Sequence, residues 1–245
     1  FSNRQNFLSF RRDSFRFNRD IVRGTLSIGM APFIMQCCAC VVVIFVNNTM
    51  QHYGGDLAIG AYGIVNRVAF LFTMVVMGLN HGMQPIVGYN YGAKNYERVR
   101  RILFMTIGWA TVVTTVGFLV CQLFPEYVVR LFAKEDGSGD ATQLITLASH
   151  GLQAILIAFP IVGFSMVVGN FFQYIGKAKR AILLSMTRQL IFILPLLVVL
   201  PPLWGQDGGW YSIRIADTMA MLLALVLLIY QLRKLRRTPD SEHSI

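Results

Sequence analysis

Charge is scarce in this sequence. Only 14% of the 245 residues are charged, and just 12 are acidic. A soluble domain of this length carries about 25% charged residues, so a water-exposed globule is excluded. Ten-residue segments of alternating polarity are missing as well, which excludes the strands of a membrane β-barrel. Histidine is limited to four residues, and with one acid deep in an apolar run they supply no convergent set of nucleophiles, acids or metal ligands for an embedded enzyme. The cysteines, Cys37, Cys38, Cys40 and Cys121, all fall in apolar runs. Cys37-x-x-Cys40 has a formal metal or redox spacing, but within an apolar helix these are small, polarizable packing residues. No cleavable signal peptide is visible. No independent basic domain accompanies the net charge of +10, so nucleic acid is not an expected partner.

What remains is apolar. Hydrophobic residues make up 55% of the chain and the mean hydropathy is +0.54. The apolar residues come in runs long enough to cross the ~30 Å hydrocarbon layer at about 1.5 Å per residue. Six spans are predicted, near 25–49, 62–86, 102–124, 145–172, 181–201 and 211–232. In lipid each must be a helix, because only a helix satisfies its own backbone polar groups. The fold class is therefore all-α, a polytopic membrane protein whose first partner is the bilayer.

Most of the 22 Lys and Arg residues lie in four places. Segment 1–23 has Arg4, Arg11, Arg12, Arg16, Arg19 and Arg23. The second connector has Lys94, Arg98, Arg100 and Arg101, and the fourth has Lys177, Lys179 and Arg180. The tail has Arg233, Lys234, Arg236 and Arg237. The alternate connectors, HYGGD, PEYVVRLFAKEDGSGD and PPLWGQDGGW, hold only Arg130 and Lys134. By the positive-inside rule both termini are expected in the cytoplasm. The division is a basic cytoplasmic segment at 1–23, a six-helix unit at 24–232 and a cytoplasmic tail at 233–245. The chain opens FSNRQNFLSFRR, without an initiator Met, and is expected to continue a longer protein.

The stretch GMQPIVGYNYGAKNYERVRR, 82–101, closes the second span. Gly78-x-x-x-Gly82 and Gly88-x-x-x-Gly92 have the spacing that lets helix backbones approach. Pro85 is expected to kink or end the helix near the membrane surface. Tyr89, Tyr91 and Tyr96 suit the headgroup region, and Asn95 reads as an N-cap with Glu97 in the following turn.

This stretch, with SIGMAPFIMQ, YGGDLAIGAYGIVNRV, NFFQYIGKAKRAILLSMTRQLIFILPLLVVLP and GGWYSIRIADTMAMLLAL, in order and correctly spaced, resembles the multidrug and toxic compound extrusion (MATE) transporters. Gly82, Gln84, Pro85, Gly88, Tyr91, Gly92 and Lys94 form the family-marker loop. The resemblance implies the C-terminal six-helix lobe of a twelve-helix protein, with the N-terminal lobe as a missing partner. It further implies a bacterial inner-membrane antiporter that exports organic, cationic or amphipathic compounds. No cofactor is implied beyond a coupling ion, H⁺ or Na⁺. In the sodium-coupled branch the first and fourth helices of this lobe carry acids. Here they offer Gln36 and Cys40, and Asn170 and Gln173. The chain is thus more similar to the branch related to DNA-damage-inducible protein F, whose coupling carboxylate belongs to the absent lobe. A lipid-linked saccharide flippase of the same superfamily and an inactive lone half are the alternatives.

Polar residues within the spans are the candidates for the cleft. Asp217 is the one acid well inside a span. It either pairs locally with Arg214 or faces the cleft to bind a proton or cation. Arg188 lies about ten residues, ~15 Å, from the 177–180 cations, too deep to snorkel, and needs a partner or water. Asn66 and Arg67 are either interfacial or cleft-facing. Gln36, Asn47, Asn48, Asn170 and Gln173 line a cleft or bond helices together. Gln36 is one turn past Pro32 and could meet the carbonyl that the proline frees. Pro160 and Pro195 mark kinks in the fourth and fifth spans.

Overall fold

The computed structural model describes residues 19–133 and 139–236. The Arg-rich segment 1–18, Lys134 and the tail from 237 onward lie outside these residues. Among the described residues the protein is helical throughout, without strands. Helix α1 spans Arg19–Gly92, α2 Tyr96–Leu123, α3 Pro125–Arg130, α4 Gly139–Leu156, α5 Phe159–Tyr174, α6 Ala178–Met186, α7 Leu194–Val199 and α8 Pro201–Arg236. A π-helical segment, Thr187–Ile193, joins α6 to α7.

An unbroken α1 would be on the order of 110 Å long, far more than a bilayer. Gly55, with φ 68° and ψ −164°, breaks it into two limbs. Gly205, with φ 60° and ψ −138°, breaks α8 near its start. Only glycine enters these conformations without strain. Val42, Val46 and Met50 of the first limb share one apolar cluster with Ala58, Ala61 and Val65 of the second, so the chain folds back on itself. Helices α4 and α5 are bent by 54° at their junction, with Pro160 in the first turn of α5, as expected of that proline. Pro195, at the start of α7, withholds a backbone donor from the preceding turn. The ladder there widens into the π segment. Two limbs of α1, α2, the α4–α5 pair, the α6–α7 run and α8 make the six expected spans. Helix α1 already begins within the expected linker, and α8 runs on into the expected tail.

Two features of the marker loop differ from expectation. Pro85 neither ends nor stops the second span, which continues to Gly92. Pro85 and His81, whose carbonyl loses its donor, are both exposed, so the missing bond faces outward and costs little packing. Gly78, Gly82, Gly88 and Gly92 have open space where a Cβ would be, so they mediate no close helix contact within this lobe. The turn itself is as expected. The Asn95 side chain accepts from the Arg98 amide at 3.3 Å, and Tyr91 and Tyr96 meet edge-on at 5.8 Å. Lys94 takes a left-handed φ of 61°.

The core is two apolar clusters, one above the other. One contains Val65, Val68, Cys121, Leu152, Phe159, Ile193, Trp210 and Ala216. The other contains Val76, Met83, Leu103, Ala110, Val167, Phe171, Leu184 and Ala224. Where the second to sixth spans pass between them, each carries a polar side chain. These are Thr73 in α1, Thr114 in α2, Ser165 in α5, Arg188 and Gln189 in the π segment, and Asp217 in α8.

Close backbone approach occurs at Gly208, where an added Cβ would sit 2.5 Å from the Leu200 carbonyl oxygen. Backbone cannot swing aside as a side chain can. Gly208→Val should therefore destabilise by about 1–3 kcal/mol, the usual cost of overpacking. Gly82→Ala should be neutral or stabilising, since helical Gly costs about 1 kcal/mol against Ala. Melting of the purified variants in detergent checks both, and a Gly82→Ala protein less stable than Gly208→Val would overturn the assignment.

Candidate functional site

The polar layer holds one ion pair. Arg188 Nε donates to Asp217 Oδ1 at 2.7 Å, across the π segment and α8. The Asp217 side chain is 6% exposed and that of Arg188 34%. A bare carboxylate at this depth would lose its hydration without compensation, which a facing guanidinium supplies. Arg214, the expected local partner of Asp217, does not pair with it. Arg214 instead lines a separate cavity with Trp204, Asp207 and Tyr211 toward the Gly205 break. The reason is depth: Arg214 can extend toward the end of the span, whereas Arg188 cannot reach either surface and stays in the interior. Thr218 Oγ1 donates to the Arg214 carbonyl at 3.0 Å, so the helix is regular around Asp217.

Two cavities meet at this pair. The first, about 380 Å³, is bounded by both limbs of α1, α5, the π segment and α8. It is lined by Tyr62, Asn66, Phe70, Arg188, Gln189 and Asp217 among apolar residues. Asn66 and Phe70 are exposed, so it opens between the α1 limbs. The second, about 200 Å³, is lined by Met35, Ser165, Asn170, Ser185 and Arg188. Gln189 Oε1 is buried and has no hydrogen-bond partner. The first cavity is thus apolar and aromatic with a carboxylate on one wall, a surface that accepts N–H donors and positive charge.

Of the sequence candidates, Asn66, Arg188 and Asp217 converge on the first cavity, and Asn170 and Arg188 on the second. Gln36, Asn47, Arg67 and Gln173 line neither. Gln36 and Arg67 are exposed, and Asn47 and Gln173 half-buried. The marker-loop residues lie at the far end of α1. Sequence reading passed over Gln189, although it adjoins Arg188, and Gln231. The Gln231 side chain, fully buried, accepts from Lys177 Nζ at 2.5 Å and Arg180 Nη1 at 2.7 Å. Arg180 also lies over the rings of Phe172 and Tyr230. At the other end His150 Nδ1 is 3.5 Å from Asp207 Oδ1.

Comparison with known proteins gives a consistent result. The MatE family model matches residues 31–199. "Multidrug export protein MepA" of Staphylococcus haemolyticus is 27% identical over 240 residues, 98% of this chain and 51% of that protein. The chain spans about half the length of the curated relatives it matches. Solved outward-facing and inward-facing conformations of a multidrug resistance MATE family transporter superpose with TM-scores of 0.82 and 0.81. Each is 20% identical over 98% of this chain, which covers 52% and 54% of the respective structures. The fold of this half is therefore common to both conformations.

Removing one partner of a fully buried pair costs ~3–5 kcal/mol. Arg188 keeps a third of its side chain exposed, so Arg188→Met should cost about 2–3 kcal/mol. Adding Asp217→Leu should recover most of that loss, because the orphaned charge goes with it. Detergent melting of both variants checks this, and a double variant less stable than Arg188→Met would argue against the pair as drawn.

Proposed function

Because this chain belongs to the MatE family, we propose that it is one lobe of a cation-coupled antiporter that exports organic cations by alternating access. The observation that carries the reading is the buried Arg188–Asp217 pair on the wall of an apolar, aromatic cavity open between the α1 limbs. The Asp217 oxygen left free by Arg188 gives this apolar cavity an acceptor for a hydrophobic molecule with a positive charge, while the coupling ion, H⁺ or Na⁺, acts at a carboxylate of the absent lobe. The common fit to outward- and inward-facing structures supports a lobe that moves as a unit against its missing partner. The flippase alternative is disfavoured. It needs uncompensated cations for a pyrophosphate, and Arg188, the deepest one, is neutralised by Asp217. We further propose that the ends bearing Lys94 and Lys177 face the cytoplasm of a bacterial cell.

In proteoliposomes the full-length protein should show ethidium efflux that depends on a proton or sodium gradient. Asp217→Asn should lower it by at least about tenfold, since a missing charge contact of this type is worth ~1.4 kcal/mol or more. Gradient-independent dye movement, or an Asp217→Asn protein with full activity, would count against the reading. Orientation has its own check. Lys94→Cys should react with a membrane-impermeant thiol reagent only from the cytoplasmic side, and Glu126→Cys only from outside.

A further inference from the structure

Resting on the transporter reading above, we propose that Arg188 is a tethered stand-in for the organic cation. The cation takes its place at Asp217, and the guanidinium withdraws into the second cavity.

Four observations point this way. The carboxylate is only half satisfied. Asp217 accepts one hydrogen bond, from Arg188 Nε, and among the described residues its second oxygen has no partner, while the residue lines the first cavity. The arginine is similarly half committed, since a guanidinium carries five donors in a planar fork and only Nε engages the acid. Next, Arg188 is the residue shared by both cavities. Its guanidinium therefore stands at their junction and needs only to swing to move from one to the other. The second cavity offers oxygens of Asn170, Ser165 and Ser185 in about 200 Å³, which suits a planar N–H donor. Third, the first cavity already has the complement of a flat organic cation. Tyr62, Phe70 and Phe159 supply aromatic faces beside the free oxygen of Asp217. Fourth, Arg188 is carried on the π segment, where the regular ladder is already interrupted, so re-registering it does not break α6 or α7.

Charge constrains the exchange on the acid's side, while the arginine, which keeps 34% of its side chain exposed, tolerates release. A buried carboxylate left alone is strongly disfavoured, so Arg188 leaves only as another cation arrives. Empty, the polar layer is neutral; loaded, it carries one added positive charge divided between two cavities. The internal arginine lowers apparent affinity by the fraction of time it occupies the acid.

The test is ethidium binding to the detergent-solubilised full-length protein, read by dye fluorescence, beside proteoliposome efflux. Arg188→Gln removes the competitor and should tighten binding on the order of tenfold. Asp217→Asn should weaken it on the order of tenfold or more. Arg188→Lys keeps a cation in place, and with it the fold, but its ammonium is a more strongly hydrated point charge. It should tighten binding by roughly two- to threefold. A purely structural role would instead weaken binding in both arginine variants. Wild-type efflux combined with unchanged or weaker binding in Arg188→Gln and Arg188→Lys overturns the exchange and leaves the transporter reading standing. Absence of both efflux and binding in the wild type overturns both.

Discussion

A charge in the interior of a membrane protein needs a permanent companion, and this lobe is arranged around that requirement. Asp217 is almost fully buried where α8 places it, and Arg188 of the π segment supplies its compensating charge. Pro195 widens the fifth span at that level, and the two apolar clusters close above and below. Without the pair, the polar layer through Thr73, Thr114 and Ser165 would be a seam of weak hydrogen bonds. With it, the layer has one strong contact between its fifth and sixth spans and two small cavities on either side of an arginine. The packing of the polar layer thus centres on one 2.7 Å contact.

Much of the fold was legible because lipid leaves few choices. Hydropathy identified six spans, Pro160 marked the bent fourth one, and Asn95 capped α2 as its residue type suggested. Exact span ends were less legible. Pro85 is expected to kink or end the span, yet the helix continues to Gly92, since a proline whose missing bond faces outward interrupts a helix less than one facing a neighbour. The glycines show the same limit. Spacing marked Gly78, Gly82, Gly88 and Gly92, yet Gly208 is the one pressed against backbone. Spacing says which residues share a helix face and nothing about what that face meets.

The site divides similarly. That Arg188 and Asp217 each needed a partner or water followed from depth alone. That they pair with each other could not be read, because they are 29 residues apart and a π segment shifts the register between them. Arg214 was the nearer partner in sequence and the wrong one in space. Gln36, Asn47, Arg67 and Gln173 were equally polar and equally plausible. Which of them lines a cavity depends on helix rotation, which a near-uniform apolar run does not encode.

Gln231 has a consequence of its own. It gathers Lys177 and Arg180 onto a single amide oxygen, where an acid would have been the obvious choice. A glutamate would hold the two cations more tightly and would cancel one of them. The neutral amide, helped by the faces of Phe172 and Tyr230, immobilises both side chains and leaves both charges intact. That end of the lobe is thereby stiffened without losing any of its positive field, so rigidity and polarity, which usually trade against each other at an ion pair, are obtained together.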